Sequence, residues 1–444
     1  MAVCWSSPTT NVCSISSNPM SCMSWRPVKL LNRVGLNWLW SSKSQAMANL
    51  SEKRSMLDAQ AYFDRVSGHL PGDAATRASA LAAAEKLGLP TRRQEAWHYT
   101  DLARLLGMAA DDRIDAVDFS AIDLLMAMFE DGKLIDAPSA EGLTMQAFEA
   151  ASVGDDAMRN YNAALAQDGL NVEISGALAR PLLITTSSSN AMHLHHKIKL
   201  ADGAKAVLVD NHMSAAYTNA RFDIALGEGA ELTFIRSQQA GHQVNVSQVE
   251  LARGAQFKSI ALVSGGALAR YEAQIKLKAE GAHAELHSAV LGRDKNHADF
   301  TYEIDHQAAD TSGNTTAYNV LDDASRGVFQ GKVIVRQDAQ HVDAQMQTRA
   351  MMLSDGAEMD AKPELEIYAD DVACAHGSAI GELDRDALFF LRARGLDEAA
   401  ARHLLVAGFI EQVLAHIDDA ALADVFRALL AQKITAQFSK PEAA

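Results

Sequence analysis

The sequence predicts a mainly β fold, a parallel β-helix (β-solenoid) with an α-helical domain before and after it along the chain. Three observations predict this architecture. Turns that contain glycine recur about every 25 residues through the middle of the chain, and a short alternating or apolar strand follows each turn. The segments on both sides of this region are instead rich in Ala, Leu, Glu, Lys and Arg, residues that favour helices.

The first 46 residues differ in composition from the rest of the chain. Residues 1–51 contain no Asp or Glu, are dense in serine, and hold three of the four cysteines. This composition is typical of an organellar transit peptide, and also of non-coding sequence read upstream of a true start at Met47. We favour the second interpretation and keep the transit peptide and a functional tail as alternatives. Residues 1–46 are therefore treated as a non-globular extension outside the fold.

Residues 47–170 are predicted to form an α-rich N-terminal domain. Helix formers fill residues 76–87, and Gly88 then provides a stop signal, so a helix is expected there. A shorter helical piece is expected over residues 121–129.

Residues 171–383 are predicted to form the β-helix core. The first turn glycines follow one another at nearly constant intervals, and the long interval from Gly281 to Gly356 is three times as great, so an unbroken register is expected. One such unit cannot bury its inner face alone, whereas stacked units bury a continuous core, with glycine at the positive-φ corner. A β-sandwich is the competing architecture, but its turns carry no fixed period. The glycines in this register are Gly203, Gly229, Gly254, Gly281, Gly331 and Gly356.

Residues 384–444 are predicted to form a C-terminal helical domain. Asp384 and Asp397 are suited to cap the first two helices, and a third helix is expected after Asp419. Because exposed strand edges are usually covered, we expect these helices to cover the open edge of the β-helix, or to present a face to a partner.

Composition excludes several classes of protein. A formal net charge of −16 argues against binding nucleic acid or an anionic membrane, and no apolar run approaches the ~18 residues of a membrane span. Beyond Met47 only Cys374 remains, so a structural disulfide and a self-contained zinc ribbon are both excluded there. One thiol fits a reducing compartment. The sequence also lacks a phosphate loop, a nucleophile elbow and a dinucleotide fingerprint.

Cys374 and His376 are the most concentrated chemical signal. Because they are separated by a single residue in an extended strand, they point to the same face, where a thiolate and an imidazole can bind a soft metal. Two ligands make an incomplete site, so further ligands would have to come from a second chain. The alternative interpretation is a small buried cysteine beside a hydrogen-bonded turn histidine.

Two other clusters are interpreted as structural. His193 and His195 share a strand face and could supply two metal ligands, but ordinary strand histidines are the better interpretation. Residues 93–100 (RQEAWHYT) place Trp, His and Tyr in consecutive positions, and we expect an aromatic anchor that docks the N-terminal domain on its neighbour.

Four segments together resemble the SufB/SufD family of iron–sulfur cluster assembly proteins, and within it the SufD branch. The resemblance covers nearly all of the chain from about Met56 to Ile434. It is carried by residues 93–100 (RQEAWHYT), 362–367 (KPELEI), 371–381 (DVACAHGSAIG) and 388–395 (LFFLRARG).

The resemblance implies a right-handed parallel β-helix and a non-enzymatic scaffold subunit. Its implied partners are a SufB-type paralogue and a SufC-type ABC ATPase, in a SufBCD-type complex. The C-terminal helices would contact the ATPase, and a transient iron–sulfur cluster would form between the two paralogues, with none bound stably by this chain alone. The implied location is the cytoplasm, or a plastid if residues 1–46 act as a transit peptide.

The resemblance also assigns roles at the candidate site. His376 matches the histidine proposed as a ligand at the heterodimer interface, and Cys374 matches the nearby cysteine. Gly377 stands where the catalytic paralogue carries Glu, and the chain beyond Met47 has one thiol. Both departures favour the SufD role, in which the partner mainly accepts sulfur.

Two other functions are kept as alternatives. A β-helix carbohydrate-active enzyme would need a row of charged residues in a groove at the coil spacing, and no such row of carboxylates is seen. A plain solenoid binding module would involve neither iron nor sulfide.

Overall fold

The computed structural model describes Phe63 and residues 70–109, 114–115, 117–149, 153–188 and 190–438. These residues belong to one compact unit, Asn49–Ala444. The predicted extension, residues 1–46, lies outside the described residues.

Two parallel sheets form the β-helix, and the chain alternates between them. The first sheet contains β1 (Leu125–Glu130), β2 (Lys133–Asp136), β5 (Leu182–Ser187), β7 (Lys205–His212), β9 (Glu231–Gln238), β11 (Gln256–Val263), β13 (His283–Gly292), β15 (Ser312–Leu321), β17 (Val342–Met352) and β19 (Val372–Glu382). The second contains β3 (Leu143–Met145), β4 (Asn171–Ile174), β6 (Met192–Leu200), β8 (Tyr217–Leu226), β10 (His242–Leu251), β12 (Leu268–Leu277), β14 (His297–His306), β16 (Arg326–Val335) and β18 (Glu358–Ile367).

Strand order confirms the predicted β-solenoid. The first sheet runs β19-β17-β15-β13-β11-β9-β7-β5-β1-β2, and the second runs β18-β16-β14-β12-β10-β8-β6-β4-β3. The pairs β1–β2 and β3–β4 are antiparallel, and the other described pairs are parallel. Apolar side chains such as Phe222, Phe234, Phe300 and Phe329 fill the space between the sheets. Each coil thus buries its inner face against the next.

Coil length increases along the β-helix, which corrects the predicted register. Residues paired on neighbouring coils mark the length of one coil. The step from Tyr217 to its partner His242 is shorter than the step from Arg326 to its partner Glu358, near the other end of the same sheet. The long interval between the turn glycines Gly281 and Gly356 therefore does not consist of three coils of the earlier length.

The predicted places of Gly331 and Gly356 in that register are wrong. Gly331 lies inside β16, where an added Cβ would meet the side chains of Met346 and Phe329, and Gly356 lies in the turn between β17 and β18. The later corners are formed without glycine: Asp310 and His341, with φ of 55° and 60°, adopt the left-handed conformation there. Because residues other than glycine can adopt this conformation, the spacing of glycines does not give the length of these later coils.

The helix predicted over residues 121–129 is also wrong. Residues of this segment lie in β1, which pairs in parallel with β5. Leu125, Ala127 and Phe129 are buried in alternation, so the period of two in burial outweighs the helix propensity of Leu, Met and Ala. The sheets therefore begin before residue 171, while the division of the chain into domains stays a prediction.

Six helices are described. They are α1 (Ala74–Leu87), α2 (Leu102–Leu106), α3 (Ala157–Leu165), α4 (Arg385–Ala393), α5 (Glu398–Leu414) and α6 (Ala420–Phe438), with a 3₁₀ turn at Glu95–Trp97. The two predicted caps are confirmed: Asp384 and Asp397 accept backbone N–H bonds at the starts of α4 and α5. Asp419 does the same at the start of α6, the helix expected after it.

The C-terminal helices do not cover the open edge of the β-helix, so that expectation is wrong. Helix α5 packs against β13 and β15 on the outer side of the first sheet. Ile410, Val413 and Phe426 share this contact with strand residues such as Ile260 and Val320. The helices bury the apolar side chains on the outer face of the sheet instead of covering its last strand, so β19 is exposed.

The aromatic anchor predicted at residues 93–100 is confirmed. Trp97 is buried, and the Arg270 guanidinium of β12 lies 3.8 Å from its ring centroid. Arg270 also donates to the Ala96 carbonyl at 2.9 Å. Lys362 of β18 contacts Glu95 at 2.7 Å, so two of the recognised motifs meet on the second sheet.

Candidate functional site

The candidate site lies on the last strand of the first sheet. Strand β19 pairs with β17 on one side, and on its other side no described strand pairs with it. Cys374 is opposite Ala344 and His376 is opposite Met346. Successive strand residues alternate between faces, so Cys374 and His376 share a face at the end of the β-helix, as predicted.

The two side chains differ in exposure. Cys374 is half-buried and packs against the apolar core between the sheets, whereas His376 is exposed. Burial raises the pKa of the Cys374 thiol, and the nearby Asp343 carboxylate raises it further. The thiol is therefore protonated at neutral pH, and a metal ion or another positive group would have to displace its proton.

The described residues around Cys374 and His376 do not complete a metal site. The cluster of three or more His, Cys, Asp or Glu donors found in the described part of the chain lies elsewhere and includes neither of them. Structural metal sites for soft ions take four ligands, so these two residues supply half of such a set.

Two large apolar side chains are exposed on β19 or just before it. Ile380 on β19 is 51% exposed, and Tyr368, in the turn before this strand, is 59% exposed. Gly377 and Gly381 have no atoms within 4 Å of the position of a Cβ, so the strand surface beside His376 is open. An unpaired strand edge with exposed apolar residues is typical of a surface that pairs with another chain.

The strand histidines of β6 are buried, in agreement with their interpretation as structural residues. His195 bonds the Asp223 carboxylate at 2.7 Å, and His196 stacks on Phe222 with ring centroids 4.6 Å apart. Burial lowers the pKa of His193 to about 3, and burial with the neighbouring His195 lowers the pKa of His196 to about 3.

These shifts predict a loss of stability in acid. Below pH 6.5 the unfolded chain protonates its histidines while buried His196 stays neutral until about pH 3, so the unfolded state binds more protons. Each such group should remove about 1.4 kcal/mol of unfolding free energy per pH unit across this window. In the His196→Gln variant, the free energy of unfolding should fall less steeply with decreasing pH, by about 1.4 kcal/mol per pH unit. Urea unfolding between pH 7.5 and 5 measures this slope. Equal slopes for wild type and variant would contradict this assignment.

One cluster of metal-binding side chains is not predicted by the sequence. Glu285, His287 and His416 place their donor atoms within 4.8 Å of one another. Alternation along β13 could have placed His283, Glu285 and His287 on one face. No sequence signal links them to His416, which lies far along the chain, beyond α5.

A family model and several known proteins match this chain. Residues 183–409 match the family model described as SUF system FeS cluster assembly, SufBD core domain. The chain is 26% identical to the iron–sulfur cluster assembly protein SufD of Escherichia coli, over 79% of this chain and 90% of that protein. It is 32% identical to an iron–sulfur cluster assembly SufBD family protein of Synechocystis, over 56% of each chain.

A plant relative is also similar. The Arabidopsis thaliana protein ABCI7, chloroplastic, is 27% identical over 48% of this chain and 45% of its own length. Among the described helices, none is both long enough and apolar enough to cross a membrane. The family model spans half of the chain. The matched residues include most strands of the β-helix, among them β19, which carries Cys374 and His376. This chain therefore belongs to the SufB/SufD family.

Proposed function

We propose that this chain is a non-enzymatic scaffold subunit of iron–sulfur cluster assembly, which pairs with a SufB-type paralogue and a SufC-type ABC ATPase. One observation carries the proposal: β19, which has a described strand on one side only, exposes His376 and half-exposes Cys374 on one face. The relatives named as iron–sulfur cluster assembly proteins support the role in cluster assembly.

The incomplete ligand set supports a shared cluster. One imidazole and one thiol from this chain would need further ligands from a partner that pairs along β19. The cluster is then a transient cargo of the two chains together, and this chain alone binds none stably. The raised pKa of Cys374 fits this division, because its thiol stays protonated until a metal-bearing partner docks.

The C-terminal helices offer a second contact surface. Phe389 and Phe390 on α4 are 74% and 53% exposed, which is unusual for large aromatic side chains. We assign this face to the ATPase, whose docking would cover both rings. For location, we propose the cytoplasm, with a plastid as the alternative if residues 1–46 direct import.

Pairing along β19 is tested with Ile380→Asp. A carboxylate at this exposed apolar position should be buried without a counter-charge in the complex, which weakens the binding of the SufB-type partner by about 2 kcal/mol, roughly 30-fold in Kd. The measurement is co-purification, followed by a titration of the purified chains. Ile135→Asp is the matched control, because Ile135 is 53% exposed on β2, at the opposite end of the same sheet.

Other outcomes would redirect the proposal. If both variants bind the partner equally weakly, or if neither binds it more weakly than the wild type, β19 is not part of the interface. A homodimer of this chain that Ile380→Asp dissociates would assign the edge to a second copy. Cleavage of a glycan by the purified chain would favour the carbohydrate-active alternative.

A further inference from the structure

We propose that Glu285, His287 and His416 form a binding site for a divalent first-row transition-metal ion, which would join the C-terminal helices to the first sheet. The site lies on the outer face of β13, and the proposal does not rest on the proposed function. Its donor atoms, two imidazole nitrogens and a carboxylate oxygen, lie within 4.8 Å of one another.

The backbone of β13 directs the first two ligands. His283, Glu285 and His287 alternate along the strand and therefore point to one face. His416 comes from the turn that follows α5, and its ring stacks on that of His287 with centroids 3.5 Å apart. The apolar contact between α5 and the sheet thus brings His416 over the strand.

Hydrogen bonds orient the strand ligands as they do in metal sites. His287 Nδ1 lies 2.7 Å from Thr316 Oγ1 on β15, which leaves Nε2 directed at Glu285, 3.3 Å away. An imidazole that holds a metal through one nitrogen usually bonds a neighbouring group through the other. His283 repeats the arrangement, with Nδ1 2.7 Å from Ser312 Oγ and Nε2 3.1 Å from the other Glu285 oxygen.

The protonation states suit a cation. Hydrogen bonds from His283 and His287 hold the pKa of Glu285 well below its usual range, so the carboxylate is charged at neutral pH. Burial and the adjacent His287 lower the pKa of His416, which favours the neutral imidazole that a metal requires. Two imidazoles and one carboxylate form a ligand set typical of divalent iron, cobalt, nickel and zinc.

Two features of the cluster affect how it can bind an ion: a nearby lysine and the stacking of the two histidine rings. Lys258 Nζ lies 3.8 Å from the Glu285 carboxylate, but its closer partner is Asp418 at 2.9 Å, which can retain the ammonium group when an ion binds. A metal lies near the plane of each imidazole that holds it, about 2.0–2.1 Å from the nitrogen. The stacked rings of His287 and His416 are nearly parallel, so one ion cannot lie in the plane of both. The His416 side chain must therefore rotate away from the His287 ring when the ion binds.

The test is a titration of metal-free, tag-free full-length protein with Co²⁺, followed by visible absorption and calorimetry. We expect one ion in a nitrogen and oxygen environment, and a melting temperature that rises with Co²⁺. His416→Ala and Glu285→Gln should each weaken binding more than about 10-fold. His403→Ala, which removes a histidine from α5 outside the cluster, should leave binding unchanged.

A second variant separates this site from the candidate cluster site. The ion should remain when Cys374→Ser and His376→Ala are combined, and its loss there would overturn the proposal. Binding that both His416→Ala and Glu285→Gln leave intact, or no binding by the wild type, would overturn it too. If the circular dichroism spectrum shows that His416→Ala does not fold, the result for Glu285→Gln decides the test, because this substitution preserves the size of the side chain.

Discussion

Arg270→Ala is expected to lower the free energy of unfolding by about 3–5 kcal/mol, because it leaves buried carboxylates without their counter-charge. The Arg270 side chain is fully buried and forms ion pairs with Asp299 and, at 2.9 Å, with Glu272. It also supports the ring of Trp97 and bonds the Ala96 carbonyl. The midpoint of urea unfolding, with the slope of the transition, measures the loss.

Arg427→Ala is the matched control for this prediction. Arg427 also pairs with two carboxylates, those of Glu411 and Asp424, at 2.7 and 2.8 Å, but the three side chains are 40%, 43% and 75% exposed. Water screens an exposed pair, so its removal should cost about 1 kcal/mol or less. If both substitutions cost the same, burial is not the source of the effect. Arg270→Lys should recover only part of the loss, because an ammonium cannot replace the planar guanidinium on the Trp97 ring.

His376→Ala is expected to leave the complex with the SufB-type partner and the ATPase intact while lowering its iron and sulfide content more than about 10-fold. The side chain is exposed on the last strand of the first sheet, so its removal should cost the isolated fold little. The loss should therefore appear in bound cluster and not in the amount of complex. Anaerobic co-purification, followed by iron and sulfide analysis, measures both quantities.

His341→Ala is the control for this variant. His341 is also exposed at this end of the β-helix, where it contacts Asp310 and Asp371, but it does not lie on β19. Its loss should not change the cluster content. A His376→Ala complex that matures clusters at the wild-type rate would remove His376 from the ligand set.

The two metal proposals fail independently. The Glu285–His287–His416 site is measured on the isolated chain with Co²⁺ alone, whereas the Cys374–His376 site is measured as iron and sulfide in the assembled complex. Loss of the first therefore says nothing about the second. Their positions agree with this separation, since one set lies on the outer face of β13 and the other on the edge strand β19.

The sequence by itself determined the fold class, the helix caps and the pairing of Cys374 with His376 on one face. Each of these depends on residues close together in the chain: glycine at a coil corner, Asp384 at a helix start, and alternation along a strand. Local backbone preferences are enough to predict them. The same preferences failed over residues 121–129, where burial against β5 outweighed helix propensity.

Only the tertiary structure decided which distant residues meet. Coils that lengthen toward the C-terminal end of the β-helix place Gly331 inside a strand, a shift that no fixed period predicts. The apolar outer face of the first sheet binds α5, which leaves β19 open and brings His416 onto His287. Contacts over such separations depend on the number and length of the intervening coils and on which apolar faces pack. These quantities are set by the whole chain and not by any segment of it.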